Sequence, residues 1–243
     1  MPKAKFTDIY QDLKRKVETG VYAYQKLMPS ENELTAEYDC SRNTIRRALR
    51  ELIEQGYIQA IQGKGVRVLY QPALQSEFRI GGIETFKEAA ARNHLHVKTR
   101  VIQFERCVCT TDLAKKTGFP EGEMLWKVCR VRLLDDKPLI LDKNFFRADL
   151  VPALTSAIAE QSIYEYLEDI LGIKIVTSKR RITVERVTKE DRLYLELGDY
   201  NCVAVITSRT FNDNGVQIEY TISRHHPERF CFEDTATRYR NHV

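Results

Sequence analysis

Arg42, Arg46, Arg47 and Arg50 fall in one short stretch, with no acid among them before Glu51. Wound as a helix, Ile45, Ala48, Leu49, Leu52 and Ile53 form one apolar stripe. Asn43, Arg46, Arg47 and Arg50 take the opposite side, Arg42 sits in the first turn, and Ser41 is a suitable N-cap. A helix that buries one side and offers planar, bidentate donors on the other has the chemistry to enter a DNA major groove. A charge run is more often a solvated face, so the flanking elements decide between the two.

A second set of groups lies further along. Arg130 and Arg132 alternate with Val131, so on a strand both guanidinium groups point to one face, where they suit a phosphate or a carboxylate. The same spacing also suits a surface ion pair. Asp142 interrupts the apolar run Pro138–Phe146. Together with Glu219 it offers two strong acceptors, suited to sugar hydroxyls in a cleft or to the acid pair of a glycosidase. Ser162 and Tyr164 open a helical segment, where backbone N–H groups favour an anion, although Ser162 is equally a plain cap.

The elements needed to position the arginine helix are present. Ile9, Leu13 and Val17 recur at helical spacing before Gly20, which predicts a helix stopped at the glycine. Ser30 and Glu33 form a capping box behind Leu27 and Met28, predicting a second helix to about Tyr38, and Asp39-Cys40 turns into the arginine helix. After it, 57–61 and 66–69 read as strands joined by Gln62-Gly63-Lys64-Gly65. The glycines permit positive φ, and Lys64 at the tip suits a phosphate. Three helices followed by this hairpin form a winged helix-turn-helix.

At 243 residues, 43% hydrophobic and 30% charged, with a net charge of +4, the chain has room for two domains and is not basic enough for indiscriminate nucleic-acid binding. It contains no membrane-length apolar run and no signal-peptide pattern, which predicts a cytoplasmic protein. Its six cysteines include no C-x-x-C pair, and its five histidines show no metal-ligand spacing, so no metal and no cofactor are expected. Residues 1–70 read as the first domain, 71–80 as a linker and 81–243 as a second domain. In the latter, strands are predicted at 97–106, 123–134, 138–147, 174–187, 202–212 and 216–226. Helices are predicted at 85–92, 110–117, 155–160, 162–171 and 188–197, with a capping box at Ser162 and Glu165. This is an α+β pattern with a mainly antiparallel sheet.

The second domain shows internal similarity. Residues 132–142 align without gaps on 209–219, an offset of 77 (Arg132 to Arg209). Two related halves are expected, with Asp142 and Glu219 in equivalent places facing a shared cleft.

The motifs Leu27–Leu34, Ser41–Leu49, Gly56-Tyr57-Ile58 and Gln62–Gly65 together resemble the GntR family of bacterial winged-helix regulators. The remainder is similar to the effector domain of its HutC branch (UTRA), which implies a chorismate-lyase-like fold. Ile140–Phe146, Gln161–Leu167 and Ser223-Arg224-His225-His226 look most like the trehalose-operon repressors of that branch. The resemblance implies a homodimeric repressor, not an enzyme, on a palindromic double-stranded operator. It also implies release by a sugar phosphate, trehalose 6-phosphate, that alters the spacing of the two DNA heads. Ser30, Asn32, Ser41, Arg42, Asn43, Thr44, Arg46, Arg47, Gly63, Lys64 and Gly65 would meet DNA. The phosphate would meet Thr85, Arg130, Arg132, Ser162 and Tyr164, with Phe86 beside them, and Asp142, Glu219 and His225 would line the sugar. Asn32 and His225 depart from the arginine and tyrosine many relatives carry. Alternatives are another ligand such as glucosamine 6-phosphate, an activator role, and an enzyme using Asp142 and Glu219. The enzyme reading leaves the N-terminal motifs without a purpose.

Overall fold

The computed structural model describes residues 3–71, 78–80, 83, 86–92 and 96–232. The described residues divide into two compact units, one running up to Leu74 and the other lying within Gln75–Glu233.

In the first unit, α1 (Lys3–Glu18), α2 (Glu31–Glu37) and α3 (Arg42–Glu54) precede an antiparallel pair, β1 (Ile58–Ile61) and β2 (Gly65–Val68). The Ser30–Glu33 capping box forms in full, and Ser41 caps α3; each such cap stabilises its helix by about 1 kcal/mol. Ile9, Leu13 and Val17 of α1 pack with Leu34, Ile45, Ala48, Leu49, Leu52, Ile58 and Val68 in one core. Full burial of a side chain such as Leu13 or Leu52 contributes roughly 1.5–3 kcal/mol. Ile53 departs from its expected place in the stripe and is 37% exposed. The four residues before it already fill the inward arc of α3, and Ile53 lies one step outside.

The second unit runs through β3 (Phe78–Ile80), α4 (Phe86–Arg92), β4 (Val97–Val108), α5 (Thr111–Thr117), β5 (Met124–Leu134) and β6 (Lys137–Arg147). It continues with α6 (Ser156–Glu160), α7 (Ile163–Glu165), a π-helical turn (Tyr166–Ile170), β7 (Ile175–Arg186), α8 (Lys189–Tyr194), β8 (Cys202–Asn212), β9 (Gln217–His225) and β10 (Phe230–Phe232). The six expected strands form one antiparallel sheet in the order β4-β5-β6-β9-β8-β7. The predicted helix at 162–171 forms only α7 before loosening into the π-helical turn. The predicted helix at 188–197 stops at Tyr194, and Leu195 and Leu197 then pack under the sheet instead. The Ser162 box is half formed. The Ser162 hydroxyl accepts from the Glu165 N–H at 3.2 Å, but the Glu165 carboxylate pairs with Lys87 at 3.0 Å. Strands β3 and β10, which pair in parallel, have no counterpart among the expected elements.

The order of the sheet reads the same from both edges, so the unit is two β-α-β-β halves facing each other across β6 and β9. The true offset is 78, not 77. Val97–Val108 maps onto Ile175–Arg186, the Thr110 cap onto Thr188, and Met124–Leu134 onto Cys202–Asn212. A shift of one residue turns every side chain to the other face. At offset 77, Arg132 would match Arg209, whose side chain bonds the carbonyl oxygens of Thr117 and Lys116. At offset 78 it matches Thr210. The second hairpin holds one residue more, so β9 follows β6 at 79 and Asp142 corresponds to Thr221. Asp142 and Glu219 are therefore not equivalent, contrary to the expectation from the gap-free alignment.

One face of the sheet packs Phe145, Tyr220 and Leu125 on Phe119, and Val131, Leu141, Val203 and Val205 on Leu195 and Leu197. Buried Asp191 bonds the cap residue Thr188 and pairs with Arg224 at 2.7 Å, which ties α8 to β9. On the other face Trp126, Val128 and Phe146 pack on Ala159, Ile163 and Leu167. The rest of that face is polar and lines a cavity.

Candidate binding cavity and nucleic-acid interface

On α3, Arg42, Asn43, Arg46, Arg47 and Arg50 are exposed, opposite the buried stripe. Ser41 and Thr44 bond each other through their hydroxyls at 2.9 Å at the helix start. Arg46 Nε pairs with Glu31 at 2.8 Å, and the Arg47 guanidinium lies 4.1 Å from the centre of the Phe6 ring. The Arg46 pair is exposed, and such pairs contribute about 0–1 kcal/mol, so an incoming phosphate or base displaces it at little cost. Ser30 and Asn32 are exposed at the start of α2, and Gly63, Lys64 and Gly65 at the hairpin tip. Gly63 has φ of 72° and Gly65 of 102°, yet an added Cβ would meet nothing within 4 Å at either. Glycine is required there by backbone conformation rather than by space.

The cavity in the second unit has a volume of about 740 Å³. Strand register brings its groups together: Arg130 lies opposite Asp142, Asp142 opposite Ser223, and Asn144 opposite Thr221. Five of its ionisable groups are almost wholly buried: Arg130 is 4% exposed, Arg132 8%, Asp142 7%, Glu219 3% and His225 6%.

Arg130 donates to Asn144 Oδ1 at 2.8 Å and to the Ala159 carbonyl at 3.2 Å, while its Nε has no partner. Burial lowers its pKa to about 9, the neighbouring Arg132 charge adds to this, and Asp142 and Glu219 oppose it. At neutral pH Arg130 is thus a buried cation bonded only to neutral acceptors. Arg132 Nε donates to Asp142 at 2.9 Å and one terminal nitrogen to the Thr99 hydroxyl at 2.7 Å; its guanidinium lies 5.2 Å from the centre of the Phe86 ring.

Burial pushes the Asp142 carboxyl up, but Arg132, Arg130 and a hydrogen bond from Ser223 outweigh it and hold it below the usual range. Glu219 accepts from Tyr164 at 2.6 Å, Asn144 at 2.9 Å and Thr221 at 2.7 Å. Burial and the Glu219 charge push the Tyr164 phenol well up. Burial lowers His225 to about 4 against the pull of Asp142, so the ring is neutral, and its Nε2 has no partner.

Among the described residues, the only buried side-chain nitrogens or oxygens without a partner are Arg130 Nε and His225 Nε2, and both residues line this cavity. Each idle buried group costs about 1–3 kcal/mol, which a ligand supplying its partner recovers. The arrangement suits an anion at the arginines joined to a hydroxyl-bearing body. Asp142 is held ionised in an ion pair, and a general acid must carry a proton.

Arg130, Arg132, Asp142, Ser162, Tyr164, Glu219, His225 and Phe86 all line the cavity. Thr85 lies outside the described residues. Asn144, Ser178, Arg180, Ser208, Thr221 and Ser223 also line it, and the sequence assigns none of them a binding role, although Asn144 and Ser223 fall within the motifs Ile140–Phe146 and Ser223–His226. The alternation Glu219-Thr221-Ser223-His225 on β9 was the signal available. Among the described residues no group of His, Cys, Asp or Glu is placed to hold a metal ion. Among the described residues no disulfide joins the six cysteines, and no helix is long and apolar enough to cross a membrane.

Residues 5–68 match the bacterial regulatory proteins of the gntR family, and residues 92–231 match the UTRA domain. The HTH-type transcriptional regulator TreR of Bacillus subtilis (strain 168) is 38% identical over 96% of this chain and 98% of that protein. The structure of the B. subtilis trehalose repressor (TreR) effector binding domain is similar at 36% identity and a TM-score of 0.54, covering 59% of this chain and 99% of that one. A possible transcriptional regulator, YydK, from Bacillus subtilis subsp. subtilis str. 168 shares the fold, with a TM-score of 0.82 at 22% identity over 96% of this chain and 99% of that one.

Proposed function

The chain belongs to the gntR family of bacterial transcriptional regulators, with a UTRA domain as its second unit, and from that premise we propose that it is a homodimeric, cytoplasmic repressor of a trehalose operon, released from its operator by trehalose 6-phosphate. The relative TreR supports the assignment. The observation that carries the ligand class is the buried, partly idle Arg130 beside Arg132 in a cavity that also holds Asp142, Glu219 and the idle His225 nitrogen. The arginines take the phosphate with Ser162 and Tyr164, and the carboxylates and His225 take sugar hydroxyls.

Each protomer places α3 in the major groove, with Arg42, Asn43, Thr44, Arg46 and Arg47 toward bases and phosphates. Ser30, Asn32 and Ser41 flank them, and Gly63, Lys64 and Gly65 reach the neighbouring groove. A twofold dimer requires a palindromic operator. The effector acts only through its different affinity for the DNA-bound and released arrangements. Residues 1–70 form the DNA-binding domain and 81–243 the effector and dimerisation domain.

The test is calorimetric titration of the purified protein with trehalose 6-phosphate, glucose 6-phosphate, glucosamine 6-phosphate and trehalose. Tightest binding of trehalose 6-phosphate is expected. Preference for glucosamine 6-phosphate would move the effector to an amino sugar, and binding of none would remove the sugar-phosphate reading.

A further inference from the structure

Phe6 of α1 meets the exposed face of α3. The Arg47 guanidinium lies over its ring, 4.1 Å from the centre. The ring is itself held in place. It stacks on Tyr10, one turn along α1, with ring centres 6.5 Å and planes 25° apart. Tyr10 is buried and donates to Gln55 Oε1 at 2.7 Å, and Gln55 is the C-cap of α3. A chain of contacts thus leaves α3 at Gln55 and returns to it at Arg47. Phe6 also packs on the core of the first unit.

Two arginines of α3 are restrained, by unlike chemistry. Arg46 gives its Nε to the Glu31 carboxylate at 2.8 Å, so that donor must be released before it can meet DNA. The Phe6 contact uses the face of the Arg47 guanidinium and none of its N–H donors, which lie in the plane. Glu51, one turn beyond Arg47, accepts from Gln55 Nε2 at 3.4 Å. Arg47 is therefore ordered while its hydrogen-bonding edge stays available. At about 100° per residue, Asn43 and Arg50 share the centre of the exposed face, and Arg47 stands about 40° round from Asn43, on the flank that meets α1. A helix in the major groove turns its centre to the bases and its flanks to the sugar-phosphate walls.

We propose that Phe6 is a positioning residue, holding Arg47 for one backbone phosphate of the operator. The inference rests on the placement of α3 in the major groove and adds to that interface a residue outside the helix-turn-helix. A free arginine loses much of its rotamer freedom when it docks, and one already stacked has less to lose. The aromatic face is the active feature: an aliphatic side chain still packs against the core but offers the cation no π face.

Full-length wild type, Phe6→Leu, Phe6→Tyr, Arg47→Gln and the double variant Phe6→Leu/Arg47→Gln are compared by fluorescence anisotropy on a footprint-defined operator and on a duplex of scrambled sequence. Loss of the ordering of one arginine predicts about threefold weaker binding per protomer, and so about tenfold for a Phe6→Leu dimer. Phe6→Tyr should bind as the wild type does. Arg47→Gln should weaken both duplexes alike, because a phosphate contact carries no sequence information, and adding Phe6→Leu to it should cost nothing further. If Phe6→Leu does not fold, as read by circular dichroism, Phe6→Met takes its place. Wild-type affinity in Phe6→Leu, a Phe6→Tyr as weak as Phe6→Leu, or an equal loss from Phe6→Leu with and without Arg47 overturns the inference and leaves α3 in the groove. A loss in Arg47→Gln confined to the operator overturns the phosphate contact. Wild-type binding of both duplexes by Arg47→Gln overturns the inference too, and the placement of α3 falls with it only if Arg46→Ala is also without effect.

Discussion

Replacing Arg130 by methionine keeps a long side chain in the cavity wall but removes its buried charge. Burial lowers the pKa of Arg130 from the usual guanidinium range to about 9. At 1.36 kcal/mol per pH unit this makes the charged form about 5 kcal/mol less favourable in the folded protein. The pKa of a base is lowered here, so the cost is full below about pH 9 and fades only as the pH climbs toward the unfolded value. The substitution also leaves Asn144 Oδ1 and the Ala159 carbonyl without their donor, at about 1–3 kcal/mol each. The balance runs from a ligand-free variant about 1 kcal/mol less stable than the wild type to one about 3 kcal/mol more stable. Urea unfolding in phosphate-free buffer, followed by the fluorescence of the single tryptophan, Trp126, reports on the second unit where the charge sits. Trehalose 6-phosphate at a hundred times its Kd should then stabilise the wild type by about 2.7 kcal/mol and the variant not at all. A variant destabilised by about 2 kcal/mol or more without ligand, or stabilised by ligand as the wild type is, would refute the reasoning.

Arg46→Ala should weaken operator binding about 10- to 100-fold, read by fluorescence anisotropy, with sugar-phosphate affinity intact; unchanged operator affinity would remove α3 from the interface. Gly65→Ala forces a side chain to φ of 102° and should lower the stability of the first unit by about 1 kcal/mol or more, seen in thermal melts, and weaken DNA binding. Asp142→Asn breaks a buried pair and should cost about 3–5 kcal/mol at neutral pH. The folded Asp142 pKa is depressed, so its contribution is present above the unfolded value of about 3.9 and is lost as pH falls through the folded value. The gap between the two proteins should therefore narrow below about pH 4, and a gap constant with pH would show that the pair contributes nothing. Asp142→Ala and Glu219→Ala should both lower effector affinity and spare DNA binding; calorimetry showing wild-type affinity in both would place the ligand elsewhere.

Local chemistry explains what the sequence disclosed. The Ser30–Glu33 box, the Ser41 cap and the glycines of the hairpin act within a few residues, so the first unit was readable almost element by element. The six long strands were readable because each alternates or runs apolar for ten residues or so. Contacts between distant segments were harder to read. Phe78–Ile80 and Phe230–Phe232 are too short to carry a period, and only their parallel pairing makes them strands. The π-helical turn at Tyr166–Ile170 has no residue signature separating it from α-helix. The repeat was visible, but turn chemistry shared by the two hairpins pulled the alignment one residue out of register. That single step reversed the faces and wrongly equated Asp142 with Glu219. In the cavity, Arg130, Arg132 and Asp142 stood out as charges in apolar surroundings. Ser178, Ser208, Thr221 and Ser223 are ordinary strand residues until strand register sets them side by side.

The central claim is that a sugar phosphate in the cavity of the second unit governs DNA binding by the first. Its most direct test is the affinity of wild type and Arg130→Met for a footprint-defined operator, with and without saturating trehalose 6-phosphate. Both proteins should bind the operator, the effector should weaken the wild-type complex by about tenfold or more, and it should leave the Arg130→Met complex unchanged. A wild-type complex indifferent to the effector, or equal release of the variant, would contradict it.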